Sequence, residues 1–176
     1  MTTPSIDWKG KILDVPDWPK PGIVFKDITP LLADGPAFSA VTEAFAAAVR
    51  PWRPTQIIGV ESRGFIFGAA LANALGLGLT LVRKKGKLPR PTSRVTYALE
   101  YGEDIVEMHA DALGANDRAV VIDDVLATGG TAAAVAELVR SSGAMLAGMA
   151  FLMELGFLAG RRKLPAGVAV ASLTVI

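Results

Sequence analysis

The segment Val120-Val121-Ile122-Asp123-Asp124-Val125-Leu126-Ala127-Thr128-Gly129-Gly130-Thr131 concentrates the residue types best suited to chemistry. An apolar run delivers two adjacent carboxylates, a loop of small residues follows, and a helix is expected from Thr131. Carboxylates accept hydrogen bonds well from the hydroxyls of a sugar. Backbone N–H groups of such a loop, with the positive end of a helix behind them, form an anion site. Gly129 and Gly130 let the backbone approach a phosphate without Cβ obstruction, and Thr128 and Thr131 add hydroxyl donors. A diol held above and a phosphate held below describe a ribose 5-phosphate. The plainer reading, a helix N-cap beside an acidic loop, accounts for a lone Asp-Asp but not for the whole strand–acid–loop–helix string. Neither Gly-x-x-x-x-Gly-Lys-Ser/Thr nor Gly-x-Gly-x-x-Gly after a strand occurs, so a Walker-type site and a Rossmann dinucleotide site are unsupported.

Other segments could hold anions or bases. Gly59-Val60-Glu61-Ser62-Arg63-Gly64-Phe65 also follows an apolar run and opens a helix. A cation such as Arg63 at the positive end of a helix dipole is unfavourable unless an anion sits beside it. Arg83, Lys84, Lys85, Lys87, Arg90 and Arg94 precede the next acid, Glu100. A basic run of this kind is usually a solvated face. Phe25, within Pro19-Lys20-Pro21-Gly22-Ile23-Val24-Phe25-Lys26-Asp27-Ile28-Thr29-Pro30, reads equally well as core or as a stacking platform.

These residues need elements to hold them. Pro16, Pro19, Pro21 and Pro30 forbid a long helix before residue 35, so an irregular arm is expected, with a short extended piece at Gly22–Phe25. A helix should start after Asp34 as its cap, with Pro36 in its first turn. Phe38, Val41, Thr42, Phe45, Ala48 and Val49 would share its face, and Pro51 and Pro54 would end it. Ile57–Val60 reads as a buried strand, Phe65–Leu75 as a helix and Leu79–Val82 as the next strand. Residues 83–104 have no apolar stripe and read as an exposed excursion or flap. Strands follow at Ile105–His109 and at Arg118–Asp123, the latter ending in its acids. A helix at Thr131–Ser142 is closed by Gly143. Further strands fall at Ala144–Met153 and Val168–Val175, with a short helical piece at Phe157–Leu164. Alternating strands and helices predict an α/β fold with a parallel or mixed sheet, in one domain spanning residues 1–176.

Composition narrows the function classes. The 176 residues suit one domain with one sizeable core. Lys and Arg total 18 against 17 Asp and Glu, so neither a nucleic-acid coat nor a membrane-surface protein is indicated. Cysteine is absent, which excludes disulfides and thiolate metal sites and fits a reducing cytoplasm. The first nine residues contain no apolar core of a secretory signal. Gly64–Val82 carries no charge and is long enough for a bilayer span. Gly64, Gly68, Asn73, Gly76 and Gly78 interrupt it, and Gly76-Leu77-Gly78 reads as a helix stop before a new strand.

The Asp123–Thr131 string resembles the signature with which type I phosphoribosyltransferases bind phosphoribosyl pyrophosphate (PRPP). The resemblance extends in order from about Pro16 to Leu164 and is most specific for the members that act on adenine. It implies that fold, with an N-terminal base-binding arm over residues 1–35 and a flexible hood over 83–104. Asp123 and Asp124 would meet the ribose hydroxyls, and Ala127, Thr128, Gly129, Gly130 and Thr131 would cradle the 5′-phosphate. Arg63, Arg83, Lys87 and Tyr101 would contact pyrophosphate, Arg83 across a dimer interface. Phe25 would stack on adenine while backbone groups near Val24 and Lys26 read its edge; relatives often carry Arg where Lys26 stands.

The activity implied is conversion of adenine and PRPP to AMP and pyrophosphate in purine salvage, by a cytoplasmic homodimer without nucleic-acid or membrane partners. Mg²⁺ would arrive with PRPP, held by substrate oxygens and water rather than by protein side chains. Glu100 is the expected general acid/base. His109, the sole histidine, and Trp8, Trp18 and Trp52 read as structural. Rival readings are the same transfer to hypoxanthine, guanine or xanthine, a non-catalytic PRPP-sensing regulator, and an interaction module.

Overall fold

A computed structural model describes residues 6–98 and 102–176, in two compact units, Met1–Ala44 and Phe45–Ile176. In the first unit β1 (Leu13–Pro16) pairs antiparallel with β2 (Val24–Asp27), Val15 opposite Phe25. The arm is therefore a hairpin rather than irregular. Pro16 is tolerated because it ends an edge strand, where its missing N–H costs no ladder bond. The Trp18 and Phe25 rings meet edge-on at 4.3 Å between centroids. A short helix, α1 (Thr29–Ala33), begins with Pro30 in its first turn, the one place where a helix accepts proline. The helix expected after Asp34 is α2 (Gly35–Val49), which runs across the boundary between the units. The Asp34 carboxylate caps it, accepting from the Ala37 N–H at 2.9 Å. Ala37, Val41, Phe45 and Val49 form its buried stripe.

The second unit is built on a seven-stranded sheet in the order β5-β6-β4-β3-β7-β8-β9. Its members are β3 (Gln56–Val60), β4 (Gly78–Lys84), β5 (Thr92–Ala98), β6 (Glu103–His109), β7 (Arg118–Leu126), β8 (Met145–Glu154) and β9 (Ala169–Val175). Strands β4, β3, β7, β8 and β9 are parallel, whereas β6 runs antiparallel to both β4 and β5. Helices α3 (Gly64–Leu75) and α4 (Gly130–Ser141) flank it. The stop expected at Gly76 is present, in the left-handed conformation that glycine tolerates. Ile58, Val60, Val121, Met149 and Phe151 join Val135, Leu138 and Val139 of α4 in one buried cluster. Among the described residues no helix is long and apolar enough to cross a membrane.

Two boundaries differ from expectation. The segment 83–104 is no bare excursion: seven of its residues form β5, fully registered on β6 from Thr92–His109 to Ala98–Glu103. Only Val95 and Tyr97 of β5 pack against the core, too few apolar positions to give a stripe in sequence. Strand β7 also runs past its acids, because Val125 and Leu126 keep pairing with Met153 and Glu154 of β8.

Candidate active site

Three chain segments converge at the C-terminal ends of β3 and β7, where open α/β sheets bind ligands. They enclose a cavity of about 320 Å³ lined by Glu61, Ser62, Arg63, Lys84, Asp123, Asp124 and residues 125–132. The loop between β7 and α4 forms one wall. Gly129 sits at φ +80° and caps α4. A Cβ at Gly129 would overlap the Gly160 carbonyl, and one at Gly160 would overlap that of Ala127. The loop is thus backed tightly by the turn Gly160–Lys163, an arrangement that requires both glycines.

Asp123 and Asp124 line this cavity under crowding. Burial raises the Asp123 carboxyl well above the usual carboxylate range, and the neighbouring Asp124 charge pushes in the same direction. Burial raises Asp124 as well, partly opposed by Arg63, whose Nη2 lies 2.6 Å from Asp124 Oδ2. Arg63, at the start of α3, thereby has the anion that its place at a helix N-terminus demands. Gly64 is required beside it: a Cβ there would fall 2.7 Å from Asp123 Oδ1.

Glu61 follows β3. Its carboxylate accepts from Lys87 Nζ at 2.7 Å, from the Lys84 N–H at 2.9 Å and from Arg83 Nη2 at 3.2 Å. Burial alone would raise this carboxyl, but the three donors outweigh it and bring it down to about 2. Arg83 also donates to the Lys87 carbonyl at 3.0 Å. Further along β4, Lys84 pairs with Asp104 and donates to Tyr97 Oη at 2.8 Å. Tyr97 Oη in turn lies 3.0 Å from Thr131 Oγ1. A loop offering amide and hydroxyl donors, a carboxylate pair and cations around one cavity can hold a phosphorylated sugar together with a second anion.

A model of the phosphoribosyl transferase domain matches residues 29–165. The chain belongs to the phosphoribosyltransferase family. It is 54% identical over 165 residues to the adenine phosphoribosyltransferase of Rubrobacter xylanophilus, spanning 94% of this chain and 89% of that protein. It is 58% identical over 154 residues to the Streptomyces clavuligerus protein of the same name, spanning 88% and 86%. The crystal structure of the Thermoanaerobacter pseudethanolicus adenine phosphoribosyltransferase superposes with a TM-score of 0.92 at 48% identity, covering 96% of this chain and 97% of that one. That of the Saccharomyces cerevisiae enzyme, in complex with an imino-altritol bisphosphate and adenine, superposes with a TM-score of 0.90 at 40% identity, covering 94% and 96%.

Of the residues expected at a phosphoribosyltransferase site, Arg63, Asp123, Asp124 and Ala127–Thr131 line the one cavity. Arg83 and Lys87 do not line it but are held on Glu61, which does. Val24, Phe25 and Lys26 lie on β2 in the other unit, where Lys26 Nζ pairs with Asp14 Oδ1 at 2.6 Å. Glu100 and Tyr101 lie outside the described residues. Sequence reasoning gave no role to Glu61, Lys84, Tyr97 or Gly160. For Glu61 the signal was an acid between a buried strand and Arg63, but its partners follow from the β3–β4 register, Val60 opposite Val82, which brings Arg83 alongside.

Proposed function

We propose that this phosphoribosyltransferase converts adenine and PRPP to AMP and pyrophosphate, serving purine salvage. The observation that carries the reading is the convergence of the Asp123–Asp124 pair and the Ala127–Thr131 loop on one cavity. Adenine as acceptor is supported by relatives named adenine phosphoribosyltransferase at 54–58% identity.

In this reading residues 127–131 hold the 5′-phosphate through backbone N–H groups and the Thr128 and Thr131 hydroxyls. Asp123 and Asp124 accept from the ribose hydroxyls, a gain for two carboxylates that crowding otherwise strains. Arg63, Arg83, Lys87 and Tyr101 hold pyrophosphate. The buried Arg83 Nε, without a hydrogen-bond partner among the described residues, supports a donor role toward a ligand. Phe25 stacks on adenine, and Val24 and Lys26 read its edge through the backbone. The Lys26 side chain is engaged by Asp14, which supports a main-chain role. Glu100 moves the proton at a purine nitrogen.

Mg²⁺ would enter as a complex with PRPP, held by substrate oxygens and water in a cavity lined by the carboxylates of Glu61, Asp123 and Asp124. Among the described residues no cluster of three or more metal-ligating side chains offers a protein cage. When bound, the ion neutralises the leaving pyrophosphate. The reading includes a cytoplasmic homodimer in which Arg83 reaches the partner's site, and one phosphoribosyltransferase domain whose arm (1–35) and hood (83–104) serve base binding and closure. Incubation with Mg²⁺, PRPP and, in parallel, adenine, hypoxanthine, guanine or xanthine tests it. AMP and pyrophosphate should form with adenine at a rate far above the nucleotide formed with any other base. Comparable rates with the oxopurines would overturn the acceptor assignment.

A further inference from the structure

The hydrogens around Tyr97 can be counted. Among the described residues its hydroxyl has three hydrogen-bonding neighbours: Lys84 Nζ at 2.8 Å, Asp104 Oδ2 at 3.1 Å and Thr131 Oγ1 at 3.0 Å. Lys84 only donates. Burial would raise the Asp104 carboxyl, but donors from Lys84, the Ile105 N–H and Tyr97 hold it below the usual range, so at neutral pH it only accepts. A phenol has one hydrogen and two acceptor sites. Tyr97 therefore gives its hydrogen to Asp104 and accepts from Lys84 and from Thr131. The direction of the last bond follows: the Thr131 hydroxyl donates. That hydroxyl has one hydrogen, and a phosphate oxygen, which accepts only, needs the same one.

We infer that Tyr97 is a positioning residue that competes with the 5′-phosphate for the single hydroxyl hydrogen of Thr131. The inference rests on the reading that residues 127–131 hold that phosphate. Tyr97 belongs to β5, two residues before the segment that carries Glu100, so the contact joins the phosphate loop to the hairpin leading to the expected acid/base. Phosphate arriving at the loop takes the Thr131 hydrogen and severs this tie. Tyr97 keeps Lys84 and Asp104, so the exchange is graded and reversible. Phosphate affinity is accordingly lower than the loop alone would supply, which favours release of a phosphorylated product.

Calorimetric titration of the full chain with ribose 5-phosphate tests this. Tyr97→Phe keeps the ring and removes the competing acceptor, so it should bind about threefold to tenfold tighter than wild type, as expected for one neutral hydrogen bond. In a Thr131→Val background, the same substitution should change nothing. A purely structural Tyr97 would lower the melting temperature of Tyr97→Phe without tightening binding. Equal or weaker binding by Tyr97→Phe, with wild type binding normally, overturns the competition and leaves the phosphate loop standing. No binding by wild type overturns both. A readout that needs no change at Tyr97 is available because the chain has two tyrosines, Tyr97 and Tyr101. With tyrosine labelled with ¹³C at Cζ and assigned through Tyr101→Phe, the Tyr97 resonance should shift as ribose 5-phosphate saturates. A resonance that stays still overturns the inference.

Discussion

Glu61 and the Asp123–Asp124 pair border the same cavity under opposite electrostatic conditions. Glu61 is met by three donors and its carboxyl is pulled down to about 2 despite burial. Asp123 and Asp124 are adjacent and crowded, with Arg63 as the charged partner of Asp124, and both are pushed up. The first carboxylate is satisfied by its own chain and stabilises the fold. The second pair opposes the fold through burial and, at Asp123, a like charge, and on the proposed reading a ligand bringing hydroxyl donors would relieve it. In the proposed reading, the acid satisfied by its own chain builds the wall and the crowded pair is left to meet the ribose hydroxyls.

Removing Glu61 should have the largest effect on the folded state. The fall of its carboxyl from 4.5 to about 2 corresponds to about 3 kcal/mol, at roughly 1.4 kcal/mol per tenfold change in proton affinity. Glu61→Gln should therefore lower the melting temperature at pH 7 by about 6–12 °C for a chain of this length. A loss of a degree or two would mean that the three contacts are solvated and weak. Asp123→Asn should act the other way. It removes a like charge from beside Asp124, so the melting temperature should hold or rise, while kcat/KM for PRPP falls about 10- to 100-fold through weakened charged hydrogen bonds to ribose. A variant that loses stability and keeps activity would reverse the roles assigned to the two acids.

The part of this contrast that was legible in sequence is the part made by neighbours along the chain. Asp123, Asp124, Gly129 and Thr131 fall within one strand–loop–helix unit, so local pattern sufficed to group them. The Asp34 cap and the Gly76 stop are local in the same way. Glu61 meets its donors only through the parallel register of β3 on β4 and the turns beyond it, and register is a property of the packed sheet. Strand β5 escaped because its inward face carries just Val95 and Tyr97, its outward face being polar. Gly160 lies some thirty residues from the loop it supports, and nothing in its own surroundings along the chain announces that contact.

Acid separates the two sites further. The folded Glu61 carboxyl lies below its unfolded value of 4.5, so its stabilisation is complete above that pH and is lost as pH falls toward about 2. Asp123 lies above its unfolded value of 3.8, so its charge opposes folding at neutral pH and the cost fades on acidification. Melting curves of wild type, Glu61→Gln and Asp123→Asn at pH 7, 5 and 3.5 should show both variants converging on wild type as pH drops, one from below and the other from level or above. Parallel curves would mean that neither carboxyl titrates as its surroundings dictate.

The smallest effect should come from Lys87→Ala. Lys87 makes the shortest contact to Glu61, yet its side chain is about half exposed, at 49%, and Arg83 and the Lys84 N–H would remain on the same carboxylate. An exposed lysine of this kind contributes at most about 1 kcal/mol. The variant should therefore melt within about 4 °C of wild type, near the top of what such a loss allows in a chain of this length. If Lys87 also meets pyrophosphate, KM for PRPP should rise severalfold while stability barely moves. A melting temperature as low as that of Glu61→Gln would show Glu61 depending on one cation, as Asp124 does on Arg63.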